Sequence, residues 1–90
     1  MNYKKQYVEV RAAFREDGLI IPTEIIWEDG ARYEIDRVAR LQRAHSRKVG
    51  GQGDRYTVII NGQERYLFFE RNPDIAGSNI GRWFVESICR

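Results

Sequence analysis

Apolar and polar residues alternate along much of this 90-residue chain, and a period of two predicts β-strands. In residues 7–14, the apolar side chains of Val8, Val10 and Phe14 fall on one face of an extended chain. Residues 82–88, RWFVESI, repeat the alternation. The pattern therefore predicts strands in widely separated parts of a β-rich fold.

A hairpin is predicted most clearly where residues 55–60 (RYTVII) and 64–69 (ERYLFF) flank Asn61-Gly62. Asn-Gly favours a type I′ turn, because such a turn needs positive φ at both central residues. Both strands carry apolar side chains on both faces, which indicates a central hairpin. On one face we expect Tyr56, Val58 and Ile60 with Tyr66 and Phe68, and on the other Leu67 and Phe69 with Thr57 and Ile59.

A second hairpin is predicted where the strand over residues 19–28 meets Asp29-Gly30. We assign a type I′ turn to this Asp-Gly pair as well. Within the strand, Pro22 has no amide hydrogen to donate, so we expect an edge or a bend there. Residues 15–18, REDG, are typical of a turn.

Residues 33–48 fit two secondary structures, and the sequence leaves both open. A helix over residues 34–48 would align apolar residues from Ile35 to His45 at spacings of three and four. A strand needs a bulge near Asp36-Arg37 to keep its later apolar residues facing inward. We favour the strand, because the preceding Asp-Gly turn makes this segment the return arm of a hairpin.

These elements predict a mainly β fold, with one small domain over residues 1–90. We expect an antiparallel five- or six-stranded barrel or roll with largely sequential strand order. The alternative is an α+β domain with one helix at about 34–48. The predicted core, apart from alternates on the other face of each strand, is Val8, Val10, Phe14, Ile25, Trp27, Tyr33, Ile35, Val38, Leu41, Val58, Ile60, Phe68, Phe84 and Val85.

Charge is distributed unevenly, although the net charge is only +2. Residues 37–53 contain five basic residues and no acidic one. Such a basic arm could bind phosphates, and tyrosines or Trp83 beside it could stack on bases. In the alternative interpretation, the arginines are solvated or form ion pairs with nearby acidic residues. The candidate acids are Glu34, Asp36, Asp54, Glu64 and Glu70. The candidate anion or nucleic-acid contacts are Arg37, Arg40, Arg43, Arg47, Lys48, Tyr56 and Tyr66.

Other chemistry has little support in the sequence. Gly50-Gly51-Gln52-Gly53 precedes a predicted strand rather than a helix and lacks the Lys-Ser/Thr ending of a phosphate-binding loop. His45 is the only histidine and Cys89 the only cysteine, so neither a metal site nor an internal disulfide is predicted. We predict no catalytic residue and no cofactor.

The strings WEDGARYEIDRV, GGQGDRYTVIINGQERYLFFE and RWFVE together resemble a group of small bacterial proteins, mainly from clostridia-type Firmicutes. WEDG, RYTV, YLFFE and WFVE follow one another in that order, over about 27–38, 50–70 and 82–86. The group has no assigned activity, so the resemblance implies a compact β fold and a bacterial cytoplasmic origin but no catalytic residue. The group has a short turn before its last strand, whereas this chain has RNPDIAGSNIG.

The expected function is that of a non-enzymatic cytoplasmic interaction module. Its partner could be another protein or a second copy of the chain, paired at an edge strand near Pro22 or at residues 82–88. Weak binding of single-stranded nucleic acid through the basic arm over residues 37–48 is the alternative. No membrane association is expected, because no apolar run exceeds three residues when tyrosine is left out, and no signal peptide is evident in residues 1–10.

Overall fold

Seven antiparallel strands form one sheet in the computed structural model, which describes residues 2–43, 53–71 and 80–89. The sheet has the order β3-β2-β1-β7-β6-β5-β4 and curls into a half-barrel. The mainly β prediction is therefore confirmed. The strands are β1 Asn2–Phe14, β2 Ile20–Ile26, β3 Arg32–Glu34, β4 Arg37–Gln42, β5 Asp54–Ile60, β6 Gln63–Arg71 and β7 Gly81–Cys89.

The helix alternative for residues 34–48 is wrong as far as the described chain extends, because β4 is a strand and residues 44–48 lie outside the described residues. The expected bulge is present but falls between Val38 and Arg40, not near Asp36-Arg37. It absorbs the extra residue, so that Val38 and Leu41 both face the core.

Seven strands form rather than five or six, because the return arm of the second hairpin breaks in two. Ile35 and Asp36 cross from one edge of the sheet to the other. The Ile35 amide donates to the Thr23 carbonyl on β2 at 2.9 Å, and the Asp36 amide donates to the Ile59 carbonyl on β5 at 2.7 Å. This crossing holds the two edges of the half-barrel near each other.

The hairpin between β5 and β6 has the predicted turn but not the predicted faces. Asn61 and Gly62 have φ values of 52° and 76°, which confirms the type I′ turn. A two-residue loop pairs Ile60 with Gln63, and this register places Leu67 opposite Tyr56. Leu67 and Phe69 therefore share the inner face with Tyr56 and Val58, and Tyr66 and Phe68 lie on the outer face with Thr57 and Ile59.

The turn between β2 and β3 is not type I′. Gly30 has a φ of 89°, but Asp29 does not adopt a positive φ. The Trp27 amide donates to the Ala31 carbonyl at 2.8 Å, which closes a three-residue loop. The Asp29 carboxylate accepts from the Ala31 amide at 2.9 Å, and this side-chain bond stabilises the longer loop.

The core lies on the concave, inner face of the sheet. Its buried members are Ile25, Ile35, Tyr56, Val58, Leu67 and Phe69, with partly buried side chains such as Val8, Val10, Trp27, Trp83 and Val85 packed against them. Two predicted core residues are largely exposed: Phe14 at 72% and Tyr33 at 43%. Phe14 ends β1 at a corner of the sheet, and Tyr33 lies on the short edge strand β3.

A second apolar pair occupies the outer face. Phe68 and Phe84 are paired across β6 and β7 and stack with centroids 4.9 Å apart. Both are buried, and Lys5 and Tyr7 of β1 contact the Phe84 ring. The sheet is therefore apolar on both faces where β1, β7 and β6 meet.

Pro22 bends β2, as predicted, because the pairing of β1 with β2 shifts between Arg11 and Ala12, opposite the proline. The strand over residues 82–88 is not an edge, since β7 lies between β1 and β6.

Within the part of the chain that the structure describes, no helix is long and apolar enough to span a membrane.

Replacing Gly53 should test the close contact between the start of β5 and β6. A Cβ on Gly53 would lie 2.6 Å from the Phe69 carbonyl oxygen, and the residue has a φ of 75°. Gly53→Ala should lower the free energy of unfolding by ~3 kcal/mol, combining the left-handed backbone penalty with a forced backbone shift. Equilibrium urea unfolding measures this difference.

Gly30→Ala is the matched control, because Gly30 has a φ of 89° but a Cβ there would meet nothing within 4 Å. It should lower the free energy of unfolding by only ~1 kcal/mol, the backbone penalty alone. Equal decreases in the two variants would show that the close approach at Gly53 has no energetic role.

Candidate functional site

The sheet splits between β6 and β7. The two strands pair only from Phe68 opposite Phe84 to Arg71 opposite Gly81. Before Phe68, β6 pairs only with β5, and after Phe84, β7 pairs only with β1. The two strand segments diverge from the Phe68–Phe84 pair, and we call the space between them the β6–β7 cleft.

Backbone hydrogen-bonding groups line both walls of this cleft. Ile60 and Gln63 flank a two-residue loop and so form a hydrogen-bonded pair, after which the pairing direction alternates along β6. The amide and carbonyl of Tyr66 therefore point away from β5, into the cleft. The same alternation directs the backbone of Glu86 on β7 toward β6.

The Glu64 carbonyl also points into the cleft and has found a substitute partner. Arg65 Nη1 donates to this oxygen at 3.0 Å, and Arg65 Nη2 donates to the side chain of Gln63. A guanidinium from the same strand thus occupies a position that a neighbouring strand would otherwise fill. This hydrogen bond indicates that the cleft-facing backbone groups of β6 lack the hydrogen bonds that a neighbouring strand would provide.

A cavity of about 800 Å³ opens at the cleft. Apolar inner-face side chains line it on one side: Ile25, Trp27, Tyr33, Ile60 and Val85. Its volume lies within the usual range of small-molecule pockets. Charges of both signs also line the cavity: Arg55, Glu64 and Glu86 from the outer face, and Arg65 from the inner face, where it lies opposite Val58.

The basic arm predicted from the sequence is only partly brought together. Arg37 and Arg40 are exposed on β4 and lie on the outer face of the sheet. Arg43 follows the strand and approaches the buried Asp54 carboxylate at 4.0 Å. Arg47 and Lys48 lie outside the described residues.

The two candidate tyrosines lie on opposite faces. Tyr66 is 50% exposed and shares the outer face with Arg40, with Thr57 between them in register. Tyr56 is buried, donates its hydroxyl to the Ile20 carbonyl at 2.7 Å, and contacts Trp83 in the core. Tyr56 and Trp83 therefore cannot stack on a ligand at the outer face.

Burial raises the pKa of the Tyr56 hydroxyl, and the nearby Asp54 carboxylate raises it further, although Arg43 and Arg71 oppose them. The hydroxyl therefore stays protonated at neutral pH and continues to donate to Ile20. This places Tyr56 in a structural role, as an anchor between β5 and the start of β2.

Arg55 belongs to the outer face, although the charge pattern of the sequence does not single it out. Its guanidinium lies 4.6 Å from the centre of the Tyr66 ring, and its Nη2 donates to Gln42 Oε1 at 2.7 Å. The register of β5 determines this position, since residues beside Tyr56 face outward. We call Arg37, Arg40, Arg55 and Tyr66 the outer basic patch.

Ion pairs separate the arginines into two groups. Arg11 and Arg32 both contact Glu24, at 3.4 and 3.3 Å. Within residues 2–43, 53–71 and 80–89, no carboxylate lies within 4.0 Å of a side-chain nitrogen of Arg37 or Arg40. Of the acids considered from the sequence as partners, Asp54 is therefore the one that pairs with the described part of the basic arm, through Arg43.

Asp54 borders a second, smaller pocket of about 200 Å³ at the other end of β5. Arg71 donates to its Oδ2 from Nη2 at 3.0 Å and from Nε at 3.3 Å. The charge of this buried carboxylate is therefore compensated, and loss of the Arg71 guanidinium would leave it without this partner. Among the described residues, no three His, Cys, Asp or Glu side chains gather closely enough to hold a metal ion.

A polar cluster covers the outer phenylalanine pair. Glu70 accepts from Lys5, and from the Tyr7 hydroxyl at 2.9 Å, while Arg82 lies over the Tyr7 ring. The hydrogen bond from Lys5 lowers the pKa of the Glu70 carboxyl; burial opposes this shift and the bond from Tyr7 adds to it. These interactions tie β1, β6 and β7 together on the outer face.

Amide hydrogen exchange should show the split of the sheet directly. We expect the Tyr66 and Glu86 amides to exchange about 100-fold faster than the Arg65 and Leu67 amides, which bond to β5. Two-dimensional NMR in deuterated buffer measures all four. Equal protection of Tyr66 and Leu67 would mean that β6 and β7 pair along their whole length.

The Glu70 cluster should make stability depend on pH in a defined direction. Glu70→Gln should lower the free energy of unfolding by roughly 1 kcal/mol at neutral pH. The folded protein holds the pKa of this carboxyl below its ordinary value of 4.5. The unfolded chain therefore takes up the proton first as the pH falls, and the stability contributed by ionised Glu70 is lost on passing the folded pKa.

Urea unfolding at several pH values checks this, and the difference between the parent and Glu70→Gln proteins should vanish in strongly acidic solution. Glu9→Gln is the control, because exposed Glu9 makes no ion pair with any described residue, and it should change stability by less than about 0.5 kcal/mol. A Glu70→Gln difference that is constant with pH would contradict the assignment.

No family model, curated protein or solved structure matches this chain. The basis for a function is therefore the chemistry of the β6–β7 cleft and of the outer basic patch themselves.

Proposed function

We propose that this protein is a non-enzymatic binding module that takes an extended segment of another polypeptide into the β6–β7 cleft. The observation that carries the proposal is the pair of facing strand edges around an apolar cavity of about 800 Å³. A bound segment would add a strand to the sheet, the mode of recognition known as β-augmentation.

A polypeptide fits the chemistry of the walls better than a compact small molecule does. The cleft-facing backbone groups recur at every second residue of each strand, a spacing of about 6.6 Å. An extended chain repeats its own amides and carbonyls at the same spacing. Tyr66 on one wall and Glu86 on the other would each gain a backbone partner from it.

The cleft also favours a particular side-chain pattern in its ligand. Successive side chains of an extended segment point to opposite faces, so alternate residues would enter the cavity and meet Trp27, Tyr33 and Ile60. Arg55 and Arg65 balance Glu64 and Glu86 around the opening, so no strong net charge is selected. The preferred ligand has apolar residues at every second position and little net charge.

The proposal places the protein in the bacterial cytoplasm and assigns it no catalytic residue. The string resemblance supports the bacterial origin, and the single cysteine is consistent with a compartment in which disulfides are rare. A second copy of the chain could offer its own edge strand to the cleft, and peptide selection combined with light scattering separates that case from a different partner.

Selection of peptides of about twelve residues from a random displayed library tests the proposal. We expect the selected sequences to carry apolar residues at alternate positions. Titration with a labelled selected peptide should show binding that Tyr33→Ala weakens about 10-fold, because Tyr33 lines the cavity and is 43% exposed. Bound peptide should also protect the Tyr66 and Glu86 amides from exchange.

Phe14→Ala is the matched control, since Phe14 is an exposed aromatic residue outside the cleft and its removal should leave peptide affinity unchanged. Selected peptides that bind without protecting the Tyr66 and Glu86 amides would contradict the proposed site. Concentration-dependent protection of the same amides without peptide, with a doubled mass in light scattering, would assign the cleft to self-association.

A further inference from the structure

We infer that the outer basic patch binds single-stranded nucleic acid, with Arg37 and Arg40 on the phosphates and Tyr66 under a base. This surface lies on the outer face of β4, β5 and β6, and binding there does not require a peptide in the cleft. Four observations support it: uncompensated charge, an exposed ring, the register that joins them, and the shape of the surface.

The charge of Arg37 and Arg40 is available to a ligand. Both side chains are exposed, and within the described part of the chain neither makes an ion pair. Arg11 and Arg32 are also exposed, yet their charge is partly neutralised by Glu24 between them. Unneutralised guanidinium groups gain most from phosphates, because binding releases the counterions condensed on the nucleic acid.

Acidic residues do not cancel the patch. Glu64 and Glu70 are the carboxylates on the outer face of β6, as the register with β5 shows. Glu70 is already engaged by Lys5 and Arg82. Two carboxylates, those of Glu64 and, across the cleft, Glu86, therefore oppose the three guanidinium groups of the patch, which leaves an excess of positive charge.

Tyr66 supplies a ring for stacking. Half of the residue is exposed, and Arg55 lies against the ring at 4.6 Å from its centre. This cation–π contact fixes the ring on the surface before a ligand arrives. Exposed aromatic side chains beside a cationic groove are the usual means by which β-sheet proteins hold unpaired bases.

The register places Arg40 and Tyr66 at a separation that suits a phosphate and a base of one nucleic-acid strand. Arg40 pairs with Thr57, and Thr57 pairs with Tyr66, so the three lie in one row across neighbouring strands. Two interstrand spacings separate Arg40 from Tyr66, which is about 10 Å. A sugar–phosphate backbone running beside β4 can therefore keep a phosphate on Arg40 and turn a base toward Tyr66.

The surface suits a single strand rather than a duplex. Three strands of an open sheet present a shallow face, and the described residues include no helix to enter a major groove. Stacking on Tyr66 requires a base that is free of its partner. Duplex nucleic acid would meet the arginines alone, and its affinity should be lower at equal length.

Fluorescence anisotropy with labelled oligo-dT and oligo-U of about 12 nucleotides, from ~20 to ~200 mM KCl, tests the inference. Affinity should fall linearly with salt on logarithmic axes. The double variant Arg37→Ala, Arg40→Ala should reduce the slope by about 1.4, at about 0.7 for each phosphate that is no longer neutralised. Tyr66→Ala should weaken binding by roughly 5- to 100-fold with little change in slope.

The double variant Arg11→Ala, Arg32→Ala is the matched control, because it removes the same charge from another part of the sheet. It should retain the slope of the parent protein. Circular dichroism and urea midpoints identify any variant that has lost its fold, and charge reversal at exposed Arg40 (Arg40→Glu) provides a second variant at the patch.

Absence of oligonucleotide binding at the lowest salt would overturn the inference. A salt slope reduced equally by the Arg11→Ala, Arg32→Ala control would overturn it too. So would an affinity for heparin equal to that for oligo-dT, together with an oligonucleotide affinity that Tyr66→Ala does not change. The last result would show general attraction of polyanions. Tyr33→Ala should leave oligonucleotide affinity intact, so failure here and failure of the peptide-binding proposal are separately visible.

Discussion

Pairing between β1 and β7 is the interaction on which the rest of the sheet depends. The register runs from Asn2 opposite Cys89 to Val8 opposite Trp83. Every other pair of neighbouring strands is consecutive in the sequence, so β1–β3 and β4–β7 are two meanders that β1 and β7 join. Each meander alone would expose one side of the inner core to water.

The same pairing accounts for the β6–β7 cleft. The second half of β7 follows β1, while β6 follows β5 around the curve of the half-barrel. Only four residue pairs, beginning at Phe68 and Phe84, are shared by β6 and β7. The cleft thus forms because β6 pairs mainly with β5 and β7 pairs mainly with β1. As a result, unpaired strand edges occur between two central strands of the sheet as well as at its two ends.

Local features of the fold could be predicted because their causes are local. The Asn61-Gly62 turn, the bend at Pro22 and the strand at residues 7–14 each depend on a few adjacent residues. The first residues of β1 were not predicted, since Lys4, Lys5 and Gln6 show no alternation. Their strand conformation comes from β7, far away in the sequence.

The candidate sites show the same division. One-signed charge pointed to Arg37 and Arg40, and both are exposed and unpaired within the described residues. The choice between Tyr56 and Tyr66 was beyond sequence reasoning, because it depends on the register of one hairpin, and a shift of one residue exchanges the faces. A cleft made by strands that stop pairing leaves no composition or spacing signal at all.

The β1–β7 pairing also has a consequence for the route of folding. The β5–β6 hairpin closes over a two-residue loop, whereas Asn2 and Cys89 must meet across almost the entire chain. A long segment of chain loses conformational entropy when its ends meet, before the contacts between those ends compensate for the loss. Pairing between strands that are distant in sequence therefore forms late, and a sheet that depends on it folds slowly. During synthesis β1 would wait for β7 to leave the ribosome. Until then β1 is an open edge, and Lys4, Lys5, Glu9 and Arg11 along it are the kind of charged residues that discourage pairing with other chains.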